Sequence, residues 1–367
     1  MKYTRTGMII GAGLAAALAV AGCGTNSNGS TPSSGGSSSS GAGACGTGSL
    51  KGAGSTFQDP MEQNWISGYA SQCSGTQVSY NAVGSGTGIQ NFGANQVDFA
   101  GSDVTMKPDE QTKANSRCGS TALHIPVTAG GVGVTYNLPG VSSLQLSAPT
   151  LAGIFDGKVK TWDAQEVKSD NPGVSLPSTS IKVFTRSDPS GTTAVFTSFL
   201  GAAAPSDWTL GSAKDTQFPV GTGKPKSNGV ATAVKGATGG ITYVEEAYAT
   251  QNNLKLAKVK NKGGAYVELT PTNVSKALES ATTSGTAPDL TQKINYTPTD
   301  PSAYPISTVS YVIVCNKYPS SFSGTNLLKT YLKYAVTTGQ GPAVSLGFAP
   351  LPTTLAQSAQ TSIAGIS

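Results

Sequence analysis

The stretch IKVFTRSDPSGTTAVFTSF, residues 181–199, joins a predicted strand to a predicted helix through a short polar turn. Residues 181–185 are rich in β-branched and aromatic side chains, which favour a strand. Val195 and Phe199 recur at helical spacing and predict a helix behind the turn. The turn, Pro189-Ser190-Gly191-Thr192-Thr193, therefore lies at a helix start, where unpaired backbone N–H groups and the helix dipole favour an anion.

The same alternation of strands and helices continues on both sides of this stretch. Helices are predicted where Met61, Trp65 and Tyr69 recur every four residues, and where Ile89 and Phe92 share one face. No internal repeat of fixed length is visible in the sequence. The alternation predicts an α/β architecture with mostly parallel sheets. The further predicted strands are 77–80, 96–100, 124–127 with 132–136, 241–244 and 309–314.

Two other turns share the composition of the first one. They are Gly54-Ser55-Thr56-Phe57 and Gly84-Ser85-Gly86-Thr87-Gly88, and each precedes a predicted helix. Either turn is a plausible anion site for the same physical reason. Serine and threonine are also ordinary helix caps, so no single turn distinguishes an anion site from a simple cap.

Two charged residues follow the ends of predicted strands. Arg186 comes directly after the strand at 181–185 and four residues before Ser190, and Asp103 follows the strand at 96–100. Ligands of open α/β sheets bind beyond the carboxyl ends of the strands, so both residues are candidates for an anion site. For Asp103, a helix cap or a lysine partner is the alternative interpretation.

The first residues have the three regions of an export signal. Lys2 and Arg5 precede an apolar run that ends just before Cys23. This run is shorter than the roughly 20 apolar residues that span a bilayer, so a cleaved signal peptide over residues 1–22 is predicted. The small residues before Cys23 resemble a bacterial lipobox, which implies lipidation of Cys23; an ordinary secretory signal is the alternative. Residues 23–49 are rich in Gly and Ser and predict a flexible tether.

Charge and cysteine content argue against several function classes. The formal net charge is +5, and removal of Lys2 and Arg5 leaves 22 basic against 19 acidic residues, or +3. So mild a charge argues against nucleic-acid binding. With Cys23 set aside, the other cysteines form no CxxC pair, so no metal site and no redox site is predicted. They allow two disulfides in three pairings, and they are Cys45, Cys73, Cys118 and Cys315.

Enzyme and nucleotide-binding interpretations have weaker support. His124 is the only histidine, it stands in an apolar run that suggests a structural role, and the sequence contains no GxSxG elbow. Gly221-Thr222-Gly223-Lys224 has some features of a phosphate-binding loop, but Pro225 stands where that motif needs Ser or Thr. A solvated turn is predicted there instead. We therefore expect no catalysis and no cofactor.

Five blocks of sequence extend the turns and the charged residues into longer motifs. They are GAGSTF at 52–57, YNAVGSG at 80–86, VDFAGSD at 97–103, RSDPSGT at 186–192 and GITYVE at 240–245. In order and separation they resemble the phosphate-binding protein of the bacterial phosphate ABC importer, and the resemblance runs from about residue 50 to at least residue 334. It implies an α/β, two-lobed type II periplasmic-binding-protein fold with a ligand cleft between the lobes.

The resemblance also implies how the chain divides between the lobes. The chain would cross between them near Gly130-Gly131 and again near Ser310-Tyr311. Adjacent glycines suit a backbone that changes its dihedral angles on closure, and they equally suit close packing. The expected division is lobe 1, residues 50–130 and 312–367, and lobe 2, residues 131–311. Because Cys73 and Cys118 then both fall in lobe 1, we expect them to pair, which leaves Cys45 with Cys315.

The ligands of the family transfer to matching positions of this chain. Arg186 would supply positive charge and Asp188 would hold it in place, while hydroxyl and N–H groups would be neutral donors. Ser55 stands where the family often has Ala. Pro189 stands where Gly is usual and removes one N–H, so backbone donation is expected to begin at Ser190. The implied phosphate ligands are Thr56 and Phe57 through backbone N–H with the Thr hydroxyl, Ser85, Asp103, Arg186, Ser190, Gly191 and Thr192.

Asp103 implies a basis for selectivity. Its carboxylate only accepts hydrogen bonds, which suits hydrogenphosphate, whereas fully ionised sulfate would leave it unpaired and repelled. We expect an extracytoplasmic protein, lipid-anchored to the cell membrane at Cys23, that captures inorganic phosphate and delivers it to an ABC permease. Two alternatives stay open: the same fold with another tetrahedral oxyanion such as sulfate or molybdate, and a surface lipoprotein without a transport role.

Overall fold

The computed structural model describes residues 45–367. The predicted signal peptide, Cys23 and most of the predicted tether lie outside the described residues. Within 45–367, no helix combines the length and the hydropathy that a membrane span requires. This part of the chain folds into alternating strands and helices around one extensive hydrophobic core.

The strands are β1 Gly48–Gly54, β2 Thr76–Ala82, β3 Phe99–Ser102, β4 Ala122–Asn137, β5 Gln145–Leu146, β6 Lys182–Arg186, β7 Thr222–Lys224, β8 Gly240–Glu245, β9 Lys255–Lys260, β10 Tyr266–Val267, β11 Thr282–Thr283, β12 Gln292–Lys293 and β13 Ser307–Cys315. The α-helices are α1 Asp59–Gln72, α2 Ser85–Gly93, α3 Pro108–Cys118, α4 Ala148–Phe155, α5 Gln165–Asp170, α6 Gly191–Ala203, α7 Lys226–Lys235, α8 Glu246–Gln251, α9 Pro271–Leu278, α10 Thr325–Ala335 and α11 Thr353–Gly365. Two 3₁₀ turns, Thr338–Gln340 and Val344–Leu346, separate α10 from α11.

Two long buried strands, β4 and β13, lie at the centre of the molecule. β13 pairs antiparallel with the first half of β4, from Cys315 opposite Ala122 to Ser307 opposite Gly131. From Val132 onward, β4 instead pairs antiparallel with β8 and β9. One strand therefore belongs to two sheet regions: the first has the order β2-β1-β3-β13-β4 and the second the order β4-β8-β6-β7.

The structure merges two predicted strands into one. Residues 124–127 and 132–136 both belong to β4, which continues through Gly130 and Gly131 without a break. The side chains of Phe57 and Leu269 occupy the space beside these two glycines, so the missing Cβ atoms permit close packing. The two sheet regions meet at this point of the strand.

The prediction of mostly parallel sheets is wrong for the centre of the molecule. Parallel pairing occurs where a helix connects neighbouring strands, as in β1–β2 and β6–β7, whereas β3–β13, β13–β4 and β4–β8 are antiparallel. The cause is that β4 and β13 carry the chain between the two sheet regions and are not part of a strand–helix–strand crossover. Alternation in the sequence indicates parallel pairing only inside such a crossover.

Strand β1 has no strand pattern in the sequence, because glycines occupy much of it. It nevertheless lies inside the sheet and pairs in parallel with both β2 and β3. A side chain at Gly52 would collide with the ring of Phe99, so the glycine is required for this packing. The strand predicted at 96–100 begins later than expected, at Phe99.

The disulfides differ from the expected pairing. Cys45 is bonded to Cys73 and Cys118 to Cys315, with Cα–Cα distances of 5.5 and 5.4 Å. Cys45 precedes β1 and Cys73 follows α1, so the first bond ties the beginning of the described chain to the end of its first helix. Cys118 and Cys315 are the last residues of α3 and β13, which pack together. Spatial neighbours therefore pair, whereas the expected pairing relied only on shared lobe assignment.

Candidate anion-binding site

The three polar turns of the sequence lie at or just before three helix starts. Ser190 precedes α6, and its hydroxyl oxygen accepts a hydrogen bond from the N–H of Thr193. Ser85 is the first residue of α2, and the Gly86 N–H donates to the carbonyl of Pro189 over 3.0 Å. The starts of α2 and α6 are thus in direct contact, although the sequence places them about a hundred residues apart.

Gly191 makes this contact possible. A Cβ on Gly191 would collide with the Asp103 carboxylate and the Ser85 hydroxyl. The first turn of α6 therefore approaches the end of β3 and the start of α2 as closely as a backbone can.

The Asp103 carboxylate is almost completely buried, with 1% of the residue exposed. Its Oδ1 accepts hydrogen bonds from Ser55 at 2.6 Å and Ser310 at 2.8 Å, and its Oδ2 accepts one from Ser85 at 3.1 Å. Burial raises its pKa to about 6, and the nearby Glu245 charge acts in the same direction, while the three hydroxyls act against both. The partners of Asp103 in the described chain are thus hydroxyl groups rather than a lysine.

Arg186 ends β6 with its guanidinium buried, and its main partner is Asp188. The Arg186 Nε donates to Asp188 Oδ1 over 2.8 Å, and Nη2 forms a short ion pair with Oδ2. Asp188 also accepts from the N–H of Lys226 at 2.8 Å. Burial alone would raise the pKa of Asp188, but the hydrogen bonds and charge of Arg186 outweigh burial and lower it. The remaining amino group of Arg186 points to hydroxyls, Ser227 at 3.1 Å and Thr192 at 3.4 Å.

The structure brings the predicted ligands together and restricts how some of them can act. The Phe57 side chain packs edge-on against Phe348 in the core, so only its backbone can face a ligand. The expectation that backbone donation begins at Ser190 is wrong, because the Ser190 N–H donates to the carbonyl of Lys214 at 2.8 Å. Backbone donation to an anion can begin at Gly191. The predicted ligands that are buried are Thr56, Phe57, Ser85, Asp103, Arg186, Ser190, Gly191 and Thr192.

Sequence reasoning missed two buried residues that contact Arg186 or Thr192. Ser227, in the first turn of α7, lies between Thr56 Oγ1 at 2.7 Å and the Arg186 guanidinium. Glu245, the last residue of β8, accepts a hydrogen bond from Thr192 Oγ1 at 2.6 Å. Its second oxygen, Oε2, is buried without a hydrogen-bond partner among the described residues.

Sequence signals existed for both missed residues. Glu245 ends one of the five sequence blocks, at the carboxyl end of a strand. Ser227 follows the segment predicted as a solvated turn, in which Thr222–Lys224 instead form the edge strand β7 beside β6. That pairing brings the beginning of α7 to the site.

Comparisons with known proteins show the family of this chain. A family model described as a PBP superfamily domain matches residues 39–338. Phosphate-binding protein PstS 3 of Mycobacterium tuberculosis is 38% identical over 356 residues, which cover 96% of each chain. Phosphate-binding protein PstS of Xylella fastidiosa is 32% identical over 310 residues, which cover 83% of this chain and 82% of that protein. The chain belongs to the PstS family of phosphate-binding proteins.

Solved structures support the fold of this PstS-family chain. The phosphate-bound protein PfluDING superimposes with a TM-score of 0.68 at 22% identity, covering 86% of this chain and 93% of that chain. A phosphate-binding protein of Stenotrophomonas maltophilia gives a TM-score of 0.66 at 23% identity, covering 86% and 94%. The α/β, two-lobed periplasmic-binding-protein fold expected from the sequence is confirmed.

Proposed function

We propose that this chain binds inorganic phosphate as hydrogenphosphate in a site built from three helix starts, Asp103 and Arg186. The observation that carries the proposal is that the site holds both a buried arginine, Arg186, and a buried carboxylate, Asp103, that no cation within residues 45–367 neutralises. An arginine attracts any oxyanion, whereas an acceptor-only carboxylate favours an anion that still carries a proton. The proposed ligands are Thr56 and Phe57, Ser85, Asp103, Arg186, Ser190, Gly191 and Thr192, with Ser227 added and Asp188 holding Arg186.

Little of the proposed affinity comes from net charge. Arg186 is already paired with Asp188, and Asp103 and Glu245 add negative charge nearby. Recognition therefore depends on neutral hydroxyl and N–H donors around the phosphate oxygens. Thr192 contributes through its backbone N–H, because its hydroxyl donates to Glu245.

We further propose that binding is coupled to closure of the two lobes. Thr56, Ser85 and Asp103 belong to the proposed lobe 1, residues 50–130 and 312–367, and Arg186 and Ser227 to the proposed lobe 2, residues 131–311. The hydrogen bond between Thr56 and Ser227 joins the two sets of ligands. A ligand that contacts both sets binds the closed arrangement better and shifts the population toward it.

Delivery to an ABC permease from an extracytoplasmic, lipid-anchored position is part of the same proposal. Its support is membership of the PstS family together with the predicted signal peptide and lipobox at Cys23. No cofactor and no catalytic step are needed for capture and release. Metabolic labelling with a palmitate analogue tests the anchor, since a Cys23→Ser variant should lose the label.

The ligand is tested by calorimetric titration of the Cys23→Ser chain lacking residues 1–22, freed of bound anions, with phosphate and then sulfate at neutral pH. We expect one-to-one phosphate binding and no heat from sulfate. Equal binding of sulfate would assign the site to tetrahedral oxyanions in general. Absence of binding with both anions would overturn the proposal.

A further inference from the structure

A further buried carboxyl group, Glu62 in α1, lies behind the proposed phosphate site. It is fully buried, and its Oε1 accepts a hydrogen bond from Gln58 Nε2 at 2.6 Å. Its Oε2 accepts one from the Tyr331 hydroxyl at 2.7 Å. No lysine or arginine in the described part of the chain pairs with Glu62. A buried carboxylate without a cation is costly, so the group needs another role or a bound proton.

A continuous row of hydrogen-bonding side chains connects Glu62 to Asp103. The other end of the Gln58 amide, Oε1, lies 2.9 Å from the Ser310 hydroxyl. That hydroxyl lies 2.8 Å from Asp103 Oδ1, and its other neighbour, the Ser102 carbonyl, is farther away at 3.4 Å. The row therefore has four members, Glu62, Gln58, Ser310 and Asp103, and all of them are buried.

When both carboxyl groups are ionised, no arrangement of hydrogens satisfies both ends of the row, because Ser310 has a single hydroxyl hydrogen. If Ser310 donates to Gln58 Oε1, its oxygen faces Asp103 Oδ1 without a hydrogen between them. If Ser310 donates to Asp103, its oxygen faces Gln58 Oε1 in the same way. A buried acceptor left without its donor costs about 1 to 3 kcal/mol, so the direction of these bonds has energetic weight.

Two arrangements leave no such conflict, and they differ in where one proton resides. In the first, Glu62 is ionised, Gln58 donates to it, Ser310 donates to Gln58, and Asp103 carries the proton and donates to Ser310. In the second, Glu62 carries the proton and donates to Gln58, whose amide is turned over so that it donates to Ser310, and Ser310 donates to an ionised Asp103. The heavy-atom positions fit both, because amide oxygen and nitrogen exchange places when the group turns over.

We propose that Glu62 is a positioning residue for the phosphate site, which by holding one proton turns the Gln58–Ser310 row toward Asp103 and keeps Asp103 ready to accept a hydrogen bond. The inference rests on the proposed function, in which Asp103 accepts from hydrogenphosphate. Only the second arrangement supplies an ionised Asp103 with hydrogens from both Ser55 and Ser310. The proton moves between the two carboxyl groups or exchanges with water, and no other bond changes.

The groups around Glu62 are consistent with this exchange. Tyr331 from α10 and Tyr80 from β2 are neutral phenols whose pKa values burial raises. Asp59, one turn before Glu62 in α1, disfavours a second negative charge. Burial raises the pKa of Glu62 to about 7 against its two hydrogen bonds, close to the value of about 6 for Asp103. If the row couples the two carboxyl groups as proposed, they titrate as a pair.

The first test measures the phosphate Kd of the wild type and of Glu62→Gln between pH 6 and pH 8.5. Glutamine mimics protonated Glu62, because its amide donates to Gln58 and its oxygen accepts from Tyr331. We expect the ratio of wild-type to variant Kd to rise about tenfold over this range, as for a pKa shift of about one unit. The ionisation of phosphate itself cancels in this ratio. A constant ratio would overturn the proposal.

A second test needs no ligand. Carbon NMR titration of the Asp103 carboxyl should give a lower pKa in Glu62→Gln than in the wild type, because the row then points permanently to Asp103. The difference should vanish in a Gln58→Met background, where the row is cut at similar volume. Tyr331→Phe is the matched control: it touches Glu62 from the other side, raises its pKa and moves the transition to higher pH without abolishing it.

The two tests separate the two proposals. Absence of phosphate binding at every pH would overturn the proposed function. The NMR titration alone would then show whether the row couples Glu62 to Asp103. Phosphate binding with an Asp103 pKa that is unchanged in Glu62→Gln would refute the role of Glu62 alone. An effect of Glu62→Gln that persists in the Gln58→Met background would also refute it, since coupling through the row would then be absent.

Discussion

At Asp103, three hydroxyl groups occupy positions where a buried carboxylate commonly has a cation. Hydroxyls stabilise the charge only partly, so the pKa of Asp103 stays raised at about 6. A protonated oxyanion can supply the missing donor, whereas a cation in the same place would have removed the need for it. Selectivity in this site would thus depend on the hydrogen-bond donor that the protein does not supply to Asp103.

Asp103→Asn should reduce discrimination more than affinity. We expect phosphate affinity to fall by about tenfold and the preference for phosphate over sulfate to fall by about a hundredfold, because the amide no longer repels sulfate and can donate to it. Calorimetric titration with both anions measures the two effects. Ser190→Ala, which removes one proposed neutral donor and no partner of Asp103, serves as the control and should change the ratio little. Unchanged selectivity in Asp103→Asn would remove the role assigned to the carboxylate.

Ser227→Ala tests a ligand that the sequence did not reveal. Loss of a buried hydroxyl between Thr56 and Arg186 removes a hydrogen bond worth about 1 kcal/mol, so the phosphate Kd should rise about fivefold. Thr232→Ala, on the exposed face of the same helix, is the matched control and should leave the Kd unchanged. Equal Kd values for the two variants would place Ser227 outside the site.

Residues with a local signature could be predicted from the sequence. Ser85, Asp103 and Arg186 stand at a helix start or a strand end, where chemistry and position are visible within a few residues. Ser310 has no such signature, because it lies inside β13 and reaches Asp103 across 207 positions of sequence. Its hydroxyl becomes part of the site only through the pairing of β13 with β3.

At the scale of elements, the start of α3 and the segment after α6 are joined by two ion pairs of different burial. Lys214 and Glu110 lie 2.8 Å apart with side chains 4% and 13% exposed. Lys107 and Asp215 lie 3.1 Å apart with side chains 45% and 61% exposed. Both pairs connect the proposed lobes, so they are natural probes of closure.

Glu110→Gln should weaken phosphate binding through closure. The change leaves the Lys214 ammonium buried without its carboxylate in the closed arrangement, and we expect the Kd to rise about tenfold. Asp215→Asn breaks only the exposed pair and should change the Kd less than about twofold. Small-angle scattering of the ligand-free variants would show whether Glu110→Gln also expands the molecule. Similar Kd values for both variants would mean that the buried pair does not favour closure.

Elements with strong patterns were predicted well, and elements that depend on their neighbours were not. Strands β6 and β8 are visible in the sequence because β-branched and aromatic residues fill them. β1 is not visible in the sequence, because its Gly52 has a low strand propensity. The glycine is required only because a side chain there would collide with the ring of Phe99. The direction of β4 and β13 depends on how the chain passes between the two sheet regions. No local sequence pattern indicates this path.

At the scale of the whole molecule, Glu62 and Asp103 link folding stability to pH. Both pKa values are raised in the folded state, so the folded protein binds these protons more tightly than the unfolded chain does. Their contribution to stability is complete below about pH 4 and is lost as the pH rises through about 6 and 7.

The ligand-free protein should therefore lose stability between pH 5 and pH 8, by on the order of 3 kcal/mol from these two groups. Denaturant unfolding at several pH values measures the loss, and Glu62→Gln should reduce it. A stability that rises over this range equally in both proteins would contradict the assignment.

The disulfide pairing shows what sequence reasoning lacks at this scale. Four cysteines leave three pairings open, and lobe membership does not choose among them because each lobe is much larger than a disulfide. The observed pairs require that the end of α3 meets the end of β13 and that the chain before β1 meets the end of α1. Both are properties of packing rather than of order along the chain.

The Cys45–Cys73 bond also decides how the folded unit responds to mechanical force. A pull applied to the chain ahead of Cys45 passes through the disulfide to the end of α1 before it reaches β1. Peeling β1 away from β2 and β3 would require the covalent bond to break first. Reduction of this bond should therefore lower the unfolding force of single molecules pulled from that end, because β1 could then be peeled from the sheet one hydrogen bond at a time.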